Sequence, residues 1–189
     1  MKSWLRLGAV TFALGVAGCM GGRNINYAPV VRQNLSYLQD MTKRMAESAA
    51  SEAAKIPPGS PELKPILTAI SRGVVREVGG SVGGFYLLGE KQYEGIFEGG
   101  SSSRERGLDP VEKAQLDVLV EQVAQDKRYH EMINSFYEKE VAQVASPVLV
   151  DGQLTAVAWI RYALPSAIRS ITEENKFDGT STSHSSGPQ

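Results

Sequence analysis

The sequence predicts an all-α fold, a bundle of about four to five amphipathic helices with a flexible Gly-rich segment and a disordered C-terminal tail. Three observations carry that expectation. Apolar residues recur at three- and four-residue steps along much of the chain, Pro and Asp stand where helices would start, and strand signals are scarce.

The first helix is expected from Pro29, a favourable first helical residue. Val31, Leu35, Leu38, Met41, Met45 and Ala49 then mark one face, with Arg32, Asn34, Gln39, Lys43 and Glu47 between them. Pro57-Pro58-Gly59 stops the helix, because neither proline can continue it. Ser60-Pro61 offers a second start, and Ile66, Ile70, Val74 and Val78 form the next stripe, which fades into Gly79-Gly80.

Residues 79–97 are ambiguous between hinge and helix. Clustered glycines favour the hinge, since each costs about 1 kcal/mol relative to Ala inside a helix. Gly99 to Gly107 is a polar loop. Asp109-Pro110-Val111-Glu112 then combines an N-cap, a first-turn Pro and a glutamate three residues on, a variant of the capping box. The helical pattern continues to about Val144 through Leu116, Val120, Val123, Ile133, Tyr137 and Val141. Unbroken, such a helix would be roughly 50 Å long, so it either protrudes or bends at Gln125-Asp126-Lys127-Arg128, where the stripe is interrupted.

Asp151-Gly152 has two readings. Flanked by Val148-Leu149-Val150 and Leu154 to Val157, it could turn a tight hairpin. The favoured reading is a last helix on the stripe Leu154, Val157, Ile160, Leu164, Ile168 and Ile171, with Asp151 as its cap. Residues 178–189, rich in Ser, Thr and Gly, are expected to be disordered.

The composition narrows the function. The 189 residues carry 20 Lys+Arg against 21 Asp+Glu, 42% hydrophobic residues and one cysteine. There is no basic excess for a phosphate backbone, which excludes nucleic acid as an electrostatic partner, and no cysteine pair for a disulfide or a zinc site.

The first residues have the layout of a secretory signal. Lys2 and Arg6 precede an uncharged, mostly apolar run from Leu7 to Ala17, and small residues lead to Cys19. The run is far shorter than the roughly 20 residues that span a bilayer. Val16-Ala17-Gly18-Cys19 resembles the lipobox of bacterial lipoproteins, with Val where Leu is usual. The resemblance covers the leader alone. It implies a diacylglyceryl thioether on Cys19 and cleavage after Gly18, so that a lipid bilayer becomes the partner of the acylated residue. Two or three acyl chains hold stably where one is marginal. Met20, in place of the Asp associated with inner-membrane retention, implies the outer membrane, with the mature domain facing the periplasm.

These boundaries divide the chain into a signal peptide (1–18), a lipidated tether (19–28), a helical domain (29–177) and a disordered tail (178–189). Without Lys2 and Arg6 the mature chain has 171 residues and 18 basic against 21 acidic side chains, a net of −3.

Catalytic motifs are weak. Gly79-Gly80-Ser81-Val82-Gly83 matches the spacing of a hydrolase nucleophile elbow, with Asp117 or Asp126 and His130 following, but that motif requires a strand before the serine. Gly84 to Lys91 lacks the residues of a phosphate loop, and the two histidines, His130 and His184, assemble no metal triad. Acidic pairs such as Glu173-Glu174 fall on solvated faces.

No cofactor, metal or enzymatic activity is therefore expected. Phe85, Tyr86, Tyr93, Phe97, Trp159 and Tyr162 are the candidates for partner contact, although core packing is the commoner fate of such residues. The expected function is a lipid-anchored, non-catalytic structural or accessory subunit of an outer-membrane or periplasmic assembly, with other envelope proteins as partners. A cell-wall hydrolase or other envelope enzyme, and a mobile-element lipoprotein for lysis or surface exclusion, are the alternatives. The oligomeric state is left open.

Overall fold

A computed structural model describes residues 29–57, 60–100, 103–136 and 139–164, with backbone only at 135 and 136. The signal peptide, the tether with Cys19, and the segment from 165 onward, including the expected tail, lie outside the described residues. The elements run α1 (Pro29–Ala53), α2 (Leu63–Glu77), β1 (Ser81–Leu87), β2 (Gln92–Glu98), β3 (Arg104–Glu105), α3 (Pro110–Asp126), β4 (His130–Phe136), β5 (Lys139–Val150) and β6 (Gln153–Ala163). The six strands form one antiparallel sheet in the order β3-β2-β1-β6-β5-β4. The fold is therefore mixed α and β, and the all-α expectation is wrong.

The helices cover both faces of the sheet. On one face α1 and α2 bury Leu35, Leu38, Met45, Leu67 and Val74 against Phe85, Val144, Ala158 and Ile160. On the other, α3 buries Leu116, Leu119, Val120 and Val123 against Val82, Ala145, Val157 and Trp159. Strands sandwiched this way are apolar on both sides, so alternation disappears from their sequence. In β6 the six residues from Ala156 to Arg161 are all buried.

That double burial is the reason the helical stripe misled. Val157 and Ile160 sit three residues apart, as on one helix face, yet Val157 faces α3 and Ile160 faces α1. The β-branched residues Val157 and Ile160, with Val141, Val144 and Val148 across the hairpin, suit pleated, packed strands. Asp151 and Gly152 adopt φ of 51° and 75°, the paired left-handed conformations of a two-residue hairpin turn. The hairpin reading of this dipeptide holds, and Gln153–Ala163 is a strand where the last helix was expected, while Ile168 and Ile171 of its stripe lie outside the described residues.

The expected helix from Asp109 to Val144 is cut at the interruption in its stripe. α3 ends at Asp126, where Lys127 turns left-handed with φ of 58° and its N–H bonds the Val123 carbonyl. Ile133 and Val141 belong instead to the antiparallel β4–β5 hairpin. Residues 79–97 are neither hinge nor helix but mostly the β1–β2 hairpin, bulged where Gly95 takes a φ of 59° against Thr68 of α2. The first two helices match the sequence periodicity closely. α1 has the expected 25 residues, and α2 starts at Leu63, slightly beyond the predicted Ser60.

Two features of the sheet matter below. β4 pairs with β5 only as far as Ala145, so Ser146 to Val150 pair with β6 alone among the described residues, and Pro147 lies in that stretch. Gly84 pairs with Trp159 across β1 and β6, and a Cβ there would stand 3.1 Å from both the indole ring and the Glu94 carbonyl oxygen. Gly84→Ala should therefore displace the indole and destabilise the fold by about 1–3 kcal/mol, as overpacking does. Urea unfolding measures this, and an unchanged midpoint would refute the close fit.

Candidate functional site

The α3-facing side of the sheet carries an unusual layer of buried polar groups. Its anchor is Glu112, the third residue of α3 and only 2% exposed. Asp109 caps the helix by accepting from the N–H groups of Val111 and Glu112, each at 2.9 Å, and Glu112 Oε2 accepts in return from the Asp109 N–H at 3.2 Å. The capping box expected from the sequence is thus formed. The same carboxylate also accepts from Arg161 Nη1 of β6 through Oε1 at 2.5 Å, and from Arg106 through Oε2.

Arg161 is 7% exposed. Burial lowers its pKa, the Glu112 carboxylate opposes that, and the neighbouring Arg106 adds to the lowering. The burial effect prevails even beside a carboxylate, so the ion pair is held in a poorly solvated place. Such a pair is weak evidence for stability, because desolvation offsets most of the Coulomb gain.

Arg161 has Gln143 as its cross-strand partner in β5. Gln143 is fully buried, donates from Nε2 to Gln115 Oε1 of α3 at 3.1 Å, and accepts from Asn134 Nδ2 of β4 at 3.5 Å. Two residues back along β6, the Trp159 ring is fully buried, and its Nε1–H has no hydrogen-bond partner among the described residues. A buried donor without a partner costs about 1–3 kcal/mol.

Aromatic side chains continue the layer towards β2. Tyr93 stands edge-on to Trp159 at 5.9 Å and to Tyr86 at 4.9 Å. Its hydroxyl donates to Asp117 Oδ1 of α3 at 2.8 Å, and Lys113 bonds Oδ2 of the same carboxylate at 2.6 Å. Burial first, and Asp117 second, raise the Tyr93 pKa far above the ordinary phenol value, so the hydroxyl remains a donor. The layer thus presents guanidinium, carboxylate, amide, phenol and indole groups between one helix and the central strands.

The residues singled out from the sequence divide as follows. Phe85, Phe97 and Trp159 are fully buried, and Tyr86, Tyr93 and Tyr162 are partly buried, so the aromatic set packs into the domain rather than standing on a free surface. Phe97 lies under the Arg72 guanidinium at 4.8 Å, on the α2 side. Cys19 lies outside the described residues. Ser81 is the first residue of a strand rather than a strand-to-helix elbow, and two strands separate β1 from the β4 that carries His130. At about 4.8 Å per strand that places them at least ~14 Å apart. His130 Nε2 contacts Asp126 instead, at 2.9 Å. Ser81 and His130 therefore form no triad. Among the described residues no three His, Cys, Asp or Glu side chains gather as a metal site.

Sequence reasoning identified Glu112 only as a capping residue and did not find Arg161, Gln143 or Gln115. Glu112 and Arg161 are 49 positions apart. The one available signal was a charged residue embedded in the apolar run of β6.

No family model matches the chain, and no curated protein matches it. Its fold is similar to the ligand-binding domain of the Pseudomonas aeruginosa PAO1 amino-acid chemoreceptor PctC in complex with GABA. The identity is 14% and the TM-score 0.51, over 79% of this chain and 62% of that one. The ligand-binding domain of the Campylobacter jejuni chemoreceptor Tlp3 with L-norvaline is also similar, at 14% identity and a TM-score of 0.48, over 75% of this chain and 55% of that one. The chain therefore spans about six-tenths of the PctC domain.

At these identities the likeness is one of fold, and it is a mixed α and β fold. The accessory-subunit expectation rested on a helical bundle. With that bundle replaced by a mixed α and β fold, neither it nor the mobile-element alternative stands, and the lipoprotein and outer-membrane descriptors gain no support.

Removing either partner of the Glu112–Arg161 pair should destabilise the fold by about 3–5 kcal/mol, because each loses a closely bonded opposite charge in a poorly solvated place. The combined Glu112→Gln/Arg161→Met variant should be more stable than either single variant. Urea unfolding of the four proteins tests this, and additive losses would mean that the two groups are uncoupled.

Proposed function

We propose that the chain is a small-molecule-binding domain of the sensory type, without catalytic activity, and that the polar layer beneath α3 is its recognition surface. The observation that carries this reading is the partnerless indole N–H of Trp159, sealed beside the Arg161–Glu112 pair where an ordinary core would be apolar. Buried polar groups without a partner are uncommon in folded proteins and accumulate where a ligand completes the site. The fold likeness to a chemoreceptor domain held with GABA supports the same reading.

The chemistry of the layer selects a small zwitterion, an α- or ω-amino acid. A guanidinium takes a carboxylate in bidentate fashion, and Glu112 or Asp117 offers the counter-charge for an ammonium group. Tyr86, Tyr93 and Trp159 flank the aliphatic stem between the two ends. The Arg161 and Glu112 charges already neutralise each other, so a zwitterion entering between them exchanges one ion pair for two. α3 must shift outward to admit it, which turns occupancy into a displacement of a helix.

Titration of the full chain with the L-amino acids and GABA, followed by calorimetry and tryptophan fluorescence, tests the proposal. At least one ligand should bind with a fluorescence change that is lost in Trp159→Phe, and Arg161→Lys should weaken binding at least tenfold. If every amino acid leaves both signals flat, the reading is wrong.

On the leader residues alone, we also propose export of the domain and its attachment to a membrane through acylated Cys19, facing the periplasm. Radiolabelled palmitate should enter the protein and be absent from Cys19→Ser. Label that persists in that variant would refute the anchor.

A further inference from the structure

A second site lies away from the α3 layer, on the α1 side of the domain. The last turns of α1, the α3–β4 connection and the end of β5 enclose an open cleft of about 380 Å³. That volume falls within the range of about 300–1,000 Å³ usual for ligand pockets. Its apolar lining is Ala46 and Ala50 of α1 with Pro147 and Leu149 of β5. Leu149 is 39% exposed, one of few large apolar side chains left so open. Among the described residues β4 pairs with β5 only up to Ala145, so no strand pairs with β5 on that side beside Pro147.

Three cations line the cleft and only one carboxylate does. Lys43 is loosely paired with Glu47 at 3.9 Å, both well exposed. Lys127 and Arg128 make no side-chain ion pair among the described residues. Lys127 is held in place by its left-handed cap geometry at the end of α3. The Arg128 N–H is fixed by the Asp126 carboxylate at 2.9 Å. Asp126 also bonds His130 Nε2 at 2.9 Å, and its pKa is lowered first by that bond and further by the Arg128 N–H and charge. Tyr129 is spent on Glu131, to which its hydroxyl donates at 2.8 Å.

We propose that this cleft binds an amphipathic anion, a carboxylate carrying a short aliphatic body. The aliphatic part covers Leu149, Pro147 and the two alanines, and the carboxylate lies between Lys127 and Arg128, whose side chains are held in no ion pair among the described residues. The inference is independent of the zwitterion site beneath α3, which shares none of these residues.

The test is calorimetric titration of the full chain with octanoate, with 1-octanol and acetate as the neutral and the short-chain controls. Octanoate should bind at least tenfold more tightly than either control. Lys127→Gln/Arg128→Gln should abolish that preference over octanol, and Leu149→Asp should remove octanoate binding. Arg161→Lys, which reports on the other site, should leave octanoate unaffected. Circular dichroism and urea midpoints establish that the variants remain folded. Equal affinity for octanoate and octanol, or octanoate binding that survives the double variant unchanged, would overturn the proposal, as would no binding of octanoate at all.

Discussion

One carboxylate holds the α3 side of this domain together. Glu112 closes the capping box that starts α3, receives Arg161 from a central strand and receives Arg106 from the segment after β3. Each task alone is ordinary. Together they bind the helix start, the middle of the sheet and the sheet's far edge to two oxygen atoms. The hydrophobic residues Leu116, Leu119, Val120 and Val123 supply most of the attraction of α3 for the sheet. They do not specify where along the strands the helix begins, since apolar contact is non-directional. The ion pairs give that register.

The two faces of the sheet are consequently different in kind. The α1 and α2 face is an almost wholly apolar core, closed by close approaches such as the Ser71 hydroxyl on the Gly83 carbonyl at 3.0 Å. The α3 face mixes aliphatic packing with hydrogen-bonding groups, and its helix is attached through the ion pairs of Glu112 as well as through apolar contact. For the proposed sensory role this difference matters, because binding energy taken up at the polar seam would act on one helix and leave the apolar core under the other face in place.

How far the sequence reveals this structure depends on the solvent exposure of each element. α1 lies on the surface, so its apolar face alternates with Arg32, Lys43 and Glu47, and its period is plain. The start of α3 is equally plain, because Asp109, Pro110 and Glu112 act locally. The strands are hidden for the opposite reason. β5 and β6 are covered on both faces, polar punctuation is lost, and residues spaced by three mimic a helix while pointing in opposite directions. Asp151-Gly152 was the corrective signal, since two consecutive left-handed residues fit a hairpin better than a helix start. The polar layer was less legible still. Glu112, Gln115, Gln143 and Arg161 become neighbours only through strand pairing and helix docking, and no local spacing encodes that.

The uneven ending of the sheet bears on how the protein behaves among copies of itself. Among the described residues β5 outruns β4, and an unpaired strand margin is an invitation to a passing strand from another molecule. Pro147 sits within that margin and has no N–H to offer, so a complete ladder cannot form along it. The exposed length on either side of the proline is too short to recruit a partner strongly. A single imino acid thereby interrupts this border of the sheet, and the cleft lies beside it.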